Sequence, residues 1–104
     1  MVKTNMTRAF SEKQAKIIRD ILCHYPYLFL AFGSRVKGTH KEYSDLDLCY
    51  QAEISDSVIA LLMDDFEQSD LPFKVDLVAW KRCSPEFQRI IRDDLVPIEE
   101  FWRY

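Results

Sequence analysis

The chain has 104 residues, of which 48% are hydrophobic and 30% are charged, and this composition predicts one globular domain over 1–104. Its formal net charge is −3, from 17 acidic and 14 basic side chains, whereas proteins that bind DNA directly concentrate Lys and Arg. We therefore expect no direct DNA binding, while a small anionic ligand held through metal ions is compatible with this charge.

Cysteine usage and the amino terminus favour a cytoplasmic protein. Cys23, Cys49 and Cys83 form no C-x-x-C pair, which predicts reduced thiols rather than a zinc or redox motif. The polar start of the chain does not resemble a signal peptide, and no apolar run approaches the roughly 20 residues that span a bilayer. We expect no membrane association.

The predicted elements begin with a helix. Residues 1–10 are interpreted as a loose lead-in. Ser11 is predicted to cap the first helix, because Gln14 three residues later completes a capping box and an apolar stripe of helical spacing follows. The apolar run 27–32 is typical of a strand and ends abruptly at Gly33.

The next segment, 44–50, alternates in the manner of a strand. Its residues divide between two faces: Asp45, Asp47 and Cys49 on one, and Leu46, Leu48 and Tyr50 on the other. A helix is predicted after this strand, starting at Ser55 or Asp56.

A third strand and a last helix complete the pattern. The strand is predicted over 73–80, and the helix starts at Ser84 with Pro85 in its first position and continues towards Pro97. The order helix, strand, loop, strand, helix, strand, helix predicts a small α/β or α+β domain with at least three strands and helices packed on the sheet.

The two glycines of the chain lie close together, directly after the first strand. Gly33 and Gly38 enclose Ser34, Arg35 and Lys37. Glycine lets the backbone turn sharply and approach a ligand, and the start of a short helix offers free N–H groups to a phosphate. Arg35 and Lys37 are candidates to add positive charge. A plain turn between two strands is an equally good interpretation of this stretch alone.

Asp45 and Asp47 make the phosphate interpretation stronger. Residues two apart in a strand share a face, with Cα atoms roughly 6–7 Å apart, so both carboxylates project together. Two carboxylates this close repel each other, and a bound cation would relieve the repulsion. Oxygen ligands suit Mg²⁺ or Mn²⁺ rather than zinc. Asp-x-Asp by itself is common on solvated surfaces, but here it follows a Gly-Ser turn.

Asp76 lies in the third predicted strand among apolar neighbours, where a charged residue is seldom left unpaired. If that strand adjoins the Asp45 strand, three carboxylates meet at one place, since neighbouring strands are about 4.8 Å apart. The alternative is that Asp76 faces solvent on an open side of the sheet.

These motifs together resemble the nucleotidyltransferase superfamily related to DNA polymerase beta. They are Phe-Gly-Ser-Arg-Val-Lys-Gly at 32–38, Tyr-Ser-Asp-Leu-Asp-Leu at 43–48 and Val-Asp-Leu at 75–77. The chain most resembles the minimal nucleotidyltransferases, the MNT proteins that act as antitoxins of HEPN toxins, and the resemblance extends from the first helix to about residue 95.

The resemblance implies a palm fold with a mixed sheet and two divalent cations, Mg²⁺ or Mn²⁺, with ATP as substrate. Asp45 and Asp47 would bind the metal ions that hold the triphosphate. Asp76 would share the metal ion on the side of the nucleophile and help to deprotonate the attacking hydroxyl. Gly33 and Ser34 would contact the β- and γ-phosphates.

The resemblance also implies a partner and a role. Similar proteins transfer AMP from ATP to a tyrosine of the cognate HEPN ribonuclease, so we expect an antitoxin that forms a hetero-oligomer with a HEPN toxin. Two alternatives stay open: a non-catalytic antitoxin that binds and occludes the toxin, and a transferase that acts on a small molecule or RNA.

Overall fold

A computed structural model describes residues 9–102. Its first helix, α1, covers Glu12–Leu22 and has the predicted capping box. The Ser11 hydroxyl accepts a hydrogen bond from the Gln14 amide, and the Gln14 side chain accepts one from the Ser11 amide, each at 3.0 Å. These bonds satisfy amide groups that the first turn of a helix leaves without partners.

The chain just before this helix is part of the core. Ala9 and Phe10, which fall within the expected loose lead-in, are both buried, and the Phe10 ring packs edge-on against Phe101 at 5.5 Å between centroids. The rest of that lead-in, residues 1–8, lies outside the described residues, as do 103–104.

Four strands form one mixed sheet in the order β3-β2-β1-β4. They are β1 (Leu30–Phe32), β2 (Leu46–Tyr50), β3 (Val75–Ala79) and β4 (Val96–Pro97). β1 is antiparallel to both of its neighbours, and β2 is parallel to β3. With the helices that pack on this sheet, the predicted fold class is confirmed.

Three further helices connect the strands. They are α2 (Ser34–Lys37), α3 (Asp56–Glu67) and α4 (Pro85–Ile91). α3 and α4 start where predicted, because the hydroxyls of Ser55 and Ser84 cap their first turns. None of the helices within residues 9–102 is long and apolar enough to cross a membrane.

The last helix is shorter than predicted. α4 ends at Ile91, and Ile90 is 68% exposed. The chain continues through a 3₁₀ turn, Arg92–Asp94, into β4, where Val96 pairs with Ala31 of β1. Pairing with a strand edge that is distant in sequence therefore prevails over local helical spacing.

The two faces of the sheet differ, as the alternation in β2 predicts. Leu46 and Leu48 point into the main core, which includes Ile18 of α1 and Leu62 of α3. The opposite face carries Asp47 and a smaller cluster of Phe32, Cys49 and Ile91. The site described next lies on this second face, beside the smaller cluster.

Candidate active site

The bend between β1 and α2 depends on Gly33. Its φ is 88°, a backbone conformation that residues with side chains rarely adopt. A Cβ atom at this position would lie 2.5 Å from Asp47 Oδ2, which is shorter than real Cβ contacts. The amides of Val36 and Lys37 close the turn by donating to the Gly33 carbonyl, each at 3.1 Å. Glycine therefore lets this bend lie directly against the Asp47 carboxylate.

Asp47 lies on β2, between β1, which leads into the Gly33 bend, and β3, which carries Asp76. Its register partner on β1 is Phe32, next to the Gly33 bend, and its register partner on β3 is Asp76. Because paired positions of parallel strands are about 4.8 Å apart and project to the same side, Asp47 and Asp76 are side by side. The expectation that these two strands are neighbours is confirmed.

The electrostatics of this pair are unfavourable without a cation. The pKa of Asp47 is raised from its ordinary value of 3.8 to about 6, first by burial and then by the charges of Asp76 and Asp45. None of the three carboxylates accepts a hydrogen bond or forms a salt bridge with another residue of 9–102. Within residues 9–102, only Asp45 has a nearby positive charge, that of the Arg35 guanidinium, so a cation bound here would lower the repulsion between the carboxylates.

Asp45 and Asp76 border an open cleft. Asp45 directly precedes β2, and both side chains are exposed. They line a cleft of about 730 Å³ whose other wall is formed by residues of α3 and of the segment 71–75. Asp47 is not part of this lining, since it faces the Gly33 bend. The carboxylates thus connect the bend on the β1 side with the cleft on the β3 side.

The donor set fits a hard divalent cation that is only partly bound by protein. No three His, Cys, Asp or Glu side chains in the described part of the chain form a ready-made metal cage. Mg²⁺ typically takes one or two carboxylates and completes its shell with water and substrate phosphates. Asp45, Asp47 and Asp76 offer oxygen ligands only, and a cation there would relieve the repulsion that raises the pKa of Asp47.

Arg35 is turned into the protein. Its guanidinium donates hydrogen bonds to the carbonyls of Ala9 (2.6 Å), Ser44 (3.0 Å) and Glu42 (3.2 Å). It also lies 4.0 Å from the centroid of the Phe73 ring, and the residue is only 3% exposed. Arg35 therefore holds the loop that enters β2, and its predicted contact with nucleotide stays a prediction.

Lys37 and Ser34 lie on the accessible side of the same short helix. Lys37 is exposed, and its Nζ is 3.4 Å from Asp94 Oδ2. Surface ion pairs of this kind contribute about 0–1 kcal/mol, so Lys37 can reorient towards a phosphate at little cost. Ser34 is half-buried in the first turn, next to Gly33.

Comparison with known proteins agrees with this arrangement. Residues 16–98 match the family "Polymerase beta, Nucleotidyltransferase". The chain is also 47% identical to the "Probable protein adenylyltransferase MntA" of Haemophilus influenzae over 76 residues, which cover 71% of this chain and 67% of that protein. The chain belongs to the MNT-type nucleotidyltransferases of the polymerase beta-like superfamily.

The region matched to this family includes both the carboxylates and the Gly33 bend. Nucleotidyltransferases generally use a nucleoside triphosphate together with a divalent metal ion, and the match of residues 16–98 includes Gly33, Asp45, Asp47 and Asp76. The nucleotidyltransferase therefore has its unpaired carboxylates inside the matched region.

Two structural features of the nucleotidyltransferase site were not predicted from the sequence. One is the supporting role of Arg35, which depends on a carbonyl 26 positions earlier in the chain. The other is the cleft wall formed by Met63, Glu67 and Lys74. Single residues such as Met63, Glu67 and Lys74 form no pattern that marks a cleft, so no sequence signal could have found this wall.

Proposed function

We propose that this nucleotidyltransferase transfers AMP from ATP to a tyrosine of a partner HEPN toxin and thereby acts as its antitoxin. The observation that carries the proposal is the position of Asp47, between the Gly33 bend on one strand and Asp76 on the other. The name of the Haemophilus relative, a probable protein adenylyltransferase, supports AMP as the transferred group and a protein as the acceptor.

Asp45, Asp47 and Asp76 are the proposed ligands of two Mg²⁺ or Mn²⁺ ions. Ions held there would neutralise charge on the attacking and leaving oxygens of the displacement. The carboxylates of this chain would hold these cations against the triphosphate, which the carboxylates alone would repel. This role is supported by the absence of any hydrogen bond or salt bridge from these carboxylates to another residue of 9–102, the charge interaction of Asp45 with Arg35 apart.

The remaining residues orient the donor and move a proton. The acceptor hydroxyl oxygen bonds to the α-phosphorus of ATP, the bond to the bridging oxygen breaks, and pyrophosphate leaves. Asp76, which lines the cleft on the β3 side, takes up the hydroxyl proton. The backbone at Gly33 and the Ser34 hydroxyl contact the β- and γ-phosphates, and Lys37 adds positive charge near them.

The test uses ATP radiolabelled in its α-phosphate and, as acceptor, the HEPN protein proposed as the partner of this chain. Transfer of label to the HEPN protein is expected with Mg²⁺ or Mn²⁺, and Asp45→Asn combined with Asp47→Asn should abolish it. Asp64→Asn combined with Asp93→Asn is the matched control, because it makes the same change of charge at exposed positions outside the site. No transfer by the wild-type protein with either metal refutes the proposal.

The same variants separate catalysis from occlusion. If catalysis neutralises the toxin, the Asp45→Asn and Asp47→Asn double variant no longer protects cells that express the HEPN protein. Protection that persists without transfer shows that binding alone is sufficient. Mass spectrometry of the products identifies a small-molecule or RNA acceptor if label goes elsewhere.

A further inference from the structure

The cleft beside Asp76 lies on the β3 side of the carboxylates, away from the Gly33 bend proposed to contact the triphosphate. In-line transfer requires the donor's leaving group and the acceptor oxygen on opposite sides of the reacting phosphorus. The Gly33 bend lies on the β1 side of Asp47, and Asp76 lies on the β3 side. With the triphosphate at the bend, the space beyond Asp76 is where an acceptor must enter.

We infer that this space, here named the β3 cleft and lined by Asp45, Asp76, Met63, Glu67, Leu71 and Lys74 among others, binds the protein acceptor. The occupant is a polypeptide segment that presents a tyrosine. This inference rests on the proposed function for the identity of the acceptor, but the position of the cleft is independent of it.

The floor of the β3 cleft suits an aromatic ring. Phe66, Phe73 and Val75 form it, and all three are buried in the core beneath. Met63 and Leu71 are half-buried beside them and present apolar walls. A phenol ring placed on this floor shares the cleft with the carboxylates of Asp45 and Asp76. Apolar surface combined with a few polar groups is typical of ligand sites.

The size of the cleft favours a segment rather than a single small alcohol. Its volume of about 730 Å³ lies within the usual range of ligand pockets, roughly 300–1,000 Å³, and one side chain occupies only part of it. The residues that flank an acceptor tyrosine therefore have room against the walls of the cleft.

The charges at the rim disfavour a nucleic acid. Three carboxylates, those of Asp45, Asp76 and Glu67, face a single cation, Lys74. Neither Glu67 nor Lys74 forms a salt bridge with another described residue, unlike Lys16, Lys37 and Lys81. A phosphate backbone would meet net negative charge here, whereas a polypeptide can pair with both free charges.

The test compares two glutamate substitutions on one helix. Met63→Glu places a charge in the wall of the β3 cleft, whereas Leu61→Glu places the same charge on the same helix at a residue that is 61% exposed and outside the lining. With the HEPN protein as acceptor, Met63→Glu should raise its KM by about tenfold or more, as expected for loss of an interface anchor, and leave the KM for ATP unchanged. Leu61→Glu should leave both values unchanged.

A second pair covers the case in which Met63→Glu does not fold. Lys74→Ala changes an exposed residue of the rim, and Lys13→Ala is its control on α1. Only Lys74→Ala should raise the KM for the HEPN protein. If wild-type protein transfers AMP but the cleft variants behave like their controls, the inference is wrong and the proposed function stands. If label goes to RNA or a small alcohol instead, both are wrong.

Discussion

Replacing Arg35 with methionine removes the guanidinium while it retains most of the side-chain volume. The change leaves three carbonyls in and near the core without their donor, those of Ala9, Glu42 and Ser44. Hydrogen bonds to charged groups contribute about 1.5–3 kcal/mol each. Burial of the guanidinium is itself costly, and it lowers the pKa of Arg35. A buried acceptor left without its donor costs about 1–3 kcal/mol, and the part-buried carbonyls of Ser44 and Glu42 can bond to water instead, so the net loss is about 3 kcal/mol.

A loss of that size is large for a domain of this length, whose total stability is about 5–15 kcal/mol. Thermal unfolding followed by circular dichroism should show it clearly, since each 1 kcal/mol lowers the Tm by roughly 4–8 °C. Arg82→Met is the matched control, because Arg82 is mostly exposed and only 3.7 Å from Asp56 in a surface ion pair. Its effect should stay within about 0.5 kcal/mol.

Activity distinguishes support of the loop from a direct nucleotide contact. Arg35→Lys keeps the charge but loses the planar fork that serves three carbonyls, so it should restore stability and transfer only in part. If Arg35→Met matches Arg82→Met in Tm and lowers only the affinity for ATP, the guanidinium binds nucleotide and the supporting role is refuted.

Other substitutions test the remaining geometry. Gly33→Ala should abolish transfer, because the added Cβ would meet Asp47, and the positive φ alone should cost about 1–3 kcal/mol of stability. Gly38→Ala, with φ 78° and open space around it, should cost about 1–2 kcal/mol and keep activity. Equal activities of the two variants contradict the contact between position 33 and Asp47. In metal-free protein, the free energy of unfolding should fall as pH rises from 3.8 through about 6, because folded Asp47 retains a proton that the unfolded chain releases. Asp47→Asn should flatten this dependence of stability on pH in denaturant titrations. An unchanged dependence assigns it to another group. Cys49 should resist thiol reagents in the native state, because burial raises its pKa to about 11, whereas exposed Cys23 should react at once; early labelling of Cys49 by mass spectrometry contradicts its burial.

The sequence was most informative where the signal is local or periodic. The capping box at Ser11 and the helix start at Ser84 follow from residues three or four positions apart, and the structure has both. The alternation around Asp47 gave the correct faces of β2, because a period of two admits only one division into faces. Spacing after a Gly-Ser turn then predicted the set of carboxylates, of which Asp47 and Asp76 are register partners in the structure.

Features that depend on distant partners could not be predicted. The direction of Arg35 is decided by the carbonyl of Ala9 and by the Phe73 ring, neither of which is near it in sequence. β4 is two residues long and exists because β1 offers it an edge, so a helical pattern was extended too far. The β3 cleft likewise forms only once α3 has packed against the sheet.

The pairing of Asp47 with Asp76 has a consequence for how the chain tolerates insertions and deletions. The two residues face the same side only because β2 and β3 are aligned position by position. Extra residues in the turn at 51–54 leave this alignment intact, because they lengthen a loop outside both strands. A single residue gained or lost inside β3 would instead direct Asp76 towards the helical layer and bring Leu77 to the surface. Insertions in the turn at 51–54 should therefore preserve activity, whereas a single-residue insertion or deletion inside β3 should abolish it.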